Sequence, residues 1–93
     1  MPWTFVFDPA KSAANLAKHG IDFVQAQALW TDENRVDAPL VFIPEPRRLT
    51  IGSIRGKVWT CVYTYREEAI RLISCRHARR HEVARYTHHR GGV

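Results

Sequence analysis

Residues 73 to 86 read ISCRHARRHEVARY, four arginines and two histidines in fourteen positions behind an apolar run. Arginine grips phosphate oxygens through paired hydrogen bonds. Histidine, with an ordinary pKa of roughly 6.5, gives or takes a proton at neutral pH. These groups suit phosphodiester cleavage in RNA, where the 2′-hydroxyl supplies the nucleophile. The protein then has only to orient the linkage, move protons and stabilise charge on the phosphorane. Arg71, Arg76, Arg79 and Arg80 are the phosphate candidates, and His19, His77 and His81 the proton-transfer candidates. Trp59, Tyr63 and Tyr65 offer rings on which unpaired bases stack.

Most of these residues have a second reading. Arg79, Arg80 and Arg85 with Glu82 also suit the solvated face of a helix, and His19 the C-terminal end of one. Trp59 and Tyr63 equally suit a core. Arg71 and Arg76 are harder to dismiss. Arg71 projects from an apolar strand on the opposite side from Ile70 and Leu72, and Arg76 stands where that strand gives way to a helix.

Other chemistries fit poorly. His77 and His81 lie four apart, but without an HExxH pattern or a third ligand, so no metal or other cofactor is expected. Cys61 and Cys75 sit inside apolar runs as small buried hydrophobes, with no CxxC spacing. GSIRGK (52–57) lacks the spacing of a phosphate loop.

The elements that must position these residues follow from period and punctuation. WTFVF (3–7) alternates as a strand does. Asp8 caps a helix over 9–19 with Pro9 in its first position, and Gly20 ends it in the left-handed conformation. Ala10, Ala13, Leu16 and Ala17 give that helix an apolar stripe, with Ile21 folding back onto Leu16. Asp22 and Gln25 have the spacing of a capping box for a second helix, which buries Phe23, Ala26, Leu29 and Trp30 before TDEN (31–34) closes it. Strands follow at 36–43, 48–54, 57–65 and 69–75. Pro39 confines the first of these to an edge or a bulge, PEP (44–46) turns the chain, and Arg55-Gly56 joins a hairpin. A last helix spans 77–87, and 88–93 form a frayed tail. The order β-α-α-β-β-β-β-α implies an α+β fold, helices covering one face of a mainly antiparallel sheet and the other left partly open.

Composition sets the bounds. With 93 residues, 45% hydrophobic and 25% charged, the chain is expected to form one domain, 1–93, rather than a disordered segment. No apolar stretch nears the roughly 18–20 residues of a membrane-spanning helix, and MPWTFVFDPAK is no secretory signal. A cytoplasmic protein without a membrane partner is expected. The net charge of +5, its arginines mostly in residues 47–90, points to a polyanionic or acidic partner.

Two segments add a family resemblance. FDPAKSAANLAKHGIDFVQAQALW (7–30) resembles the opening of BrnT-type toxins through Asp8, Pro9, Lys11, Asn15, Lys18, His19, Gly20 and Phe23. RLISCRHARRHEVARY (71–86) resembles the same family's Arg-x-Ile-Ser-Ala-Arg-x-Ala segment, through Arg71, Ile73, Ser74, Arg76, Ala78, Glu82 and Tyr86, with Cys75 where alanine is usual. The resemblance implies a RelE-like fold and ribonuclease activity. It also implies a cognate antitoxin with a ribbon-helix-helix region, and operator DNA bound only through the toxin–antitoxin complex. The expected function is metal-independent endonucleolytic cleavage of RNA that stops translation, relieved by that antitoxin. Lys18, His19, Arg71, Arg76 and Arg80 are the expected catalytic set, with Trp59, Tyr63, Arg79 and His77 contacting RNA. The alternative is a non-catalytic basic module that holds nucleic acid or an acidic protein.

Overall fold

The computed structural model describes residues 3–40 and 46–90, the last by its backbone alone. The elements are β1 (Phe5–Val6), α1 (Pro9–His19), a 3₁₀ segment (Gln25–Thr31), β2 (Val36–Leu40), β3 (Arg47–Ile54), β4 (Lys57–Arg66), β5 (Ala69–His77) and α2 (Arg80–Arg90). The fold is α+β, with strand order β1-β5-β4-β3-β2. All neighbours are antiparallel except β1, which runs parallel to β5 with Phe5 opposite Ile70 and Val6 opposite Arg71. Pro39 lies in β2, at the end of the strand order, where the donor it lacks is not required. Residues 41–45, which take in the end of the expected 36–43 strand and most of the PEP turn, lie outside the described residues.

Helix α1 begins and ends as the sequence dictates. The Asp8 carboxylate accepts the N–H groups of Ala10 at 2.8 Å and Lys11 at 3.4 Å, and Gly20 closes the helix at φ 82°. Its buried face, however, is not the alanine–leucine stripe. Ala10, Ala13, Leu16 and Ala17 face solvent, and the buried residues are Ser12 and Asn15. The cause is hydrogen bonding. Ser12 Oγ accepts the Phe23 N–H at 2.9 Å. The Asn15 amide donates to the carbonyls of Ile21 at 2.7 Å and Cys75 at 2.9 Å, and its Oδ1 accepts the Cys75 N–H at 3.2 Å. β1 pairs β5 only at Ile70 and Arg71. Farther along, one side chain of α1 stands in for a strand.

The expected second helix is a 3₁₀ segment. Its capping box is complete, with Gln25 Oε1 accepting the Asp22 N–H at 2.9 Å and Asp22 Oδ1 accepting the Gln25 N–H at 2.7 Å. Phe23, Ala26 and Leu29 recur every three residues, the period that a 3₁₀ helix lines up on one side. All three are fully buried, with Trp30 beside them. The segment lies so close to β3 that a Cβ on Gly52 would stand 2.9 Å from Leu29 Cδ2.

Residues opposite one another in the ladders share a face. Trp59, Cys61, Tyr63, Ile70, Leu72 and Cys75 meet the core residues of the 3₁₀ segment on one side of the sheet. On the other, Val36 and Ile51 pack with Tyr86 of α2. This helix starts at Arg80, three residues later than expected, because β5 runs on to His77. It continues through His88 and His89 of the expected tail, and 91–93 lie outside the described residues. It lies over β2 and β3. On the same face Val62, Thr64, Arg71 and Ser74 stay half-buried.

One irregularity governs that face. Val62 pairs with Ser74 but Tyr63 pairs with Leu72, so Ile73 is an extra residue in β5. Arg71 and Arg76 are five apart and would point to opposite sides of a regular strand. The bulge cancels that alternation. Arg71 stands opposite Thr64 and Arg76 opposite Thr60, both on the α2 side.

Replacing Asn15 with alanine would leave the Cys75 N–H and two carbonyls buried without partners. The expected loss is about 3 kcal/mol, read as a lowered urea midpoint. Leu16→Ala, on the exposed stripe, is expected to cost less than about 0.5 kcal/mol. Equal losses for the two would contradict the docking described.

Candidate active site on the open sheet face

The strongest charge interaction of the site joins β5 to α2. Arg76 Nη1 donates to Glu82 Oε1 at 2.7 Å and Nη2 to Oε2 at 3.1 Å, a two-point ion pair. Glu82 also accepts the Arg79 N–H at 2.7 Å and the Thr60 hydroxyl at 3.0 Å. Its side chain is 6% exposed, against 22% for Arg76. Burial opposes the charge on Glu82, yet the bonds from Arg76, the Arg79 N–H and Thr60 outweigh it and hold the carboxyl at about 2. Sequence reasoning placed Glu82 on the solvated face of a helix, and the structure buries it instead. Its acidity among arginines was the available signal. It fixes the start of α2 and sets the direction of Arg76, whose guanidinium is thereby partly committed.

The other arginines differ. Arg71 is half-buried on the uncovered part of the face, and Arg79 and Arg80 are exposed where α2 begins. Arg71 and Arg76 lie about 15 Å apart along β5 at the usual rise per residue. The face therefore carries a row of cations from the β4–β5 end to the α2 junction, with Thr60, Thr64 and Ser74 among them.

His77 follows Arg76 but points to the opposite side, where its ring stacks on Trp59 at 4.1 Å and 22°. It is exposed, so one ring surface is covered and the rest is open. Trp59, with Gly20, Ile21 and Lys57, also lines a cleft of about 520 Å³ below the end of α1. Lys18 is exposed and His19 half-buried at that helix end. The structure thus brings Arg76, Arg79 and Arg80 together at the β5–α2 junction. His77 lies with Trp59 on the other side of the sheet, the side on which α1 ends with Lys18 and His19.

The stacking surface expected from Trp59 and Tyr63 is corrected. Tyr63 is 1% exposed, its ring edge-on to Trp30 at 5.1 Å, and Trp59 is 7% exposed under His77. Neither has a free ring face for a base. The Tyr63 hydroxyl donates to Asp37 at 2.6 Å, and burial together with that carboxylate pushes its pKa up. Arg48, absent from the sequence-based candidates, donates to the same Asp37 at 2.9 Å.

Nucleophilic cysteine chemistry is disfavoured by position. Cys61 and Cys75 are both fully buried and directly opposed, and the hydrogen bond between the thiols, with burial, raises Cys61 well above the ordinary range. No group of three or more His, Cys, Asp or Glu among the described residues is arranged to hold a metal ion. No helix among them is long and apolar enough to cross a membrane.

This architecture coincides with a family match over residues 7–82, to a model described as the ribonuclease toxin BrnT of type II toxin–antitoxin systems. The matched span takes in α1 and its Asn15 clasp, β2 to β5 and the β5–α2 ion pair, and the chain belongs to the BrnT toxin family. Its members are ribonuclease toxins paired with an antitoxin protein. No curated relative matches the chain.

Arg76→Ala strands the Glu82 charge in a buried setting, an expected loss of roughly 3–5 kcal/mol. Adding Glu82→Gln to that variant is expected to recover part of the loss in a double-mutant cycle. The pH dependence has a defined sign. The Glu82 carboxyl is lowered from 4.5 to about 2, so its stabilisation is complete above about pH 4.5 and disappears as pH falls toward 2. Glu82→Gln is expected to flatten acid unfolding over that window, as followed by circular dichroism.

Proposed function

We propose that this chain is a RelE-like endoribonuclease toxin, residues 1–93 acting as one domain, that cleaves RNA in the cytoplasm without a metal or other cofactor. Cleavage proceeds by attack of the RNA 2′-hydroxyl on the adjacent phosphorus, and loss of message stops translation. A cognate ribbon-helix-helix antitoxin neutralises it by covering part of the basic surface, and operator DNA is bound only through that complex.

The observation that carries this reading is the Ile73 bulge, which turns Arg71 and Arg76 to one uncovered face beside Arg79 and Arg80. Arg71 and Arg80 bind the phosphate groups and stabilise developing charge, as paired N–H donors do on an anionic transition state. Arg76, oriented by Glu82, contributes charge from a fixed position. Arg79 contacts the RNA backbone. Lys18 and His19 serve positioning and proton transfer, and His77, which shares their side of the sheet, is the substitute. Trp59 serves the RNA contact indirectly, by holding the His77 ring. One observation favours the non-catalytic reading. Arg76 already spends its two-point contact on Glu82, so a merely basic binding face would also retain it.

Purified protein in EDTA is expected to cut single-stranded RNA into discrete products. Arg71→Ala and Arg80→Ala are each expected to lower the rate roughly 100- to 1000-fold while the protein stays folded. His19→Ala and His77→Ala together are expected to remove the neutral-pH optimum. RNA that is bound tightly but left intact by the wild type would overturn the enzymatic reading in favour of a binding module.

A further inference from the structure

β3 pairs with β4 only as far as Arg48 opposite Tyr63, whereas β4 continues beside β5 to Arg66 opposite Ala69. The overhang of β4 forms one wall of a cleft of about 730 Å³ that holds Arg47, Arg48, Arg66, Thr64 and Tyr65. Among the described residues its lining includes no Asp or Glu. Tyr65 is 61% exposed, the opposite of its neighbour Tyr63. The two rings meet edge-to-face at 5.8 Å and 90°. Because Asp37 holds the Tyr63 hydroxyl, Tyr65 rests on a fixed ring and still presents an open surface. Asp37 also fixes Arg48. Thr64, in the cleft wall, stands directly opposite Arg71 and points to the α2 side, whereas Tyr65 points to the Tyr63 side. The cleft therefore lies at the sheet edge, with the Tyr65 ring on one side and the cationic face on the other.

An exposed aromatic ring among cations, in a cleft the size of small-ligand sites, fits a base with its phosphates. An acidic peptide would use the arginines and leave the ring without a purpose. We propose that this cleft is a nucleotide-binding subsite for single-stranded RNA, with one base stacked on Tyr65 and the adjoining phosphate held by Arg66. It rests on the reading of RNA as substrate. The subsite anchors the strand at the β4–β5 end, from which it crosses the sheet edge to reach Arg71 and the β5–α2 junction.

The test uses fluorescein-labelled single-stranded RNA with methylated 2′-oxygens, which binds but has no nucleophile, and reads fluorescence anisotropy. Tyr65→Ala is expected to weaken binding roughly tenfold or more, and Tyr65→Phe to restore it. Arg66→Ala is expected to reduce the slope of log affinity against log salt by about 0.7. With cleavable RNA, Tyr65→Ala is expected to raise KM more than it lowers kcat. Wild-type cleavage with Tyr65→Ala and Arg66→Ala both binding normally overturns the subsite alone. Tyr65-dependent binding without cleavage upholds the subsite and removes the ribonuclease reading. Absence of RNA binding by the wild type overturns both. So does a Tyr65-dependent affinity confined to an acidic peptide.

Discussion

The clasp between Asn15 and Cys75 is the constraint on which the other contacts rest. A strand edge in the interior must have its N–H and C=O groups satisfied, and β1 reaches only Ile70 and Arg71. The Asn15 amide presents a donor and an acceptor in the spacing of a peptide group, and it spends both on Cys75. Its second donor ties the chain after α1 at Ile21, where the core of the 3₁₀ segment begins. One side chain therefore seats the helix, closes the sheet and aims the next segment. It acts two residues beyond the Ile73 bulge, and so holds β5 at the point where its alternation has just been reset.

That reset makes a site out of a strand. Without the extra residue, one of the two β5 arginines would point into the Phe23–Trp30 core, where an unpaired charge is prohibitive. With it, both lie on the α2 side, and Glu82 draws one of them toward the helix. The same carboxylate receives the N–H of Arg79 and the hydroxyl of Thr60, so the junction is rigid without a large apolar contact. Tyr86 reinforces α2 one turn later by donating to Asp32 at 2.6 Å. Charge at this junction thus fastens α2 to β5.

Much of this was legible in the sequence. Punctuation residues marked the ends of α1, the Asp22–Gln25 box and the hairpin at Arg55 and Gly56, both of which take positive φ. The pattern of Phe23, Ala26, Leu29 and Trp30 located the core. What stayed hidden was non-local. Ser12 and Asn15 look like polar surface until the edge they satisfy is known, and the apolar stripe beside them looks like core until it is found facing solvent. Nothing in LISCRH announces an extra residue, because a bulge depends on what β4 offers opposite. Tyr63 and Tyr65 are identical in type and share a face. Tyr63 is covered by Trp30 and bonded to Asp37 of β2, whereas Tyr65 lies beyond the end of the β3–β4 pairing.

The span of the Asn15 clasp has a consequence for how the chain is made. Asn15 and Cys75 lie 60 residues apart, and β1 waits for Ile70 and Arg71 in the same way. Synthesis delivers α1 well before its partner strand. Until β5 has been translated, the N-terminal third has no edge to close, and neither Arg71 nor Arg76 exists to face a phosphate. The cationic face therefore forms only once β5 has joined α1, and not while the N-terminal segment stands alone.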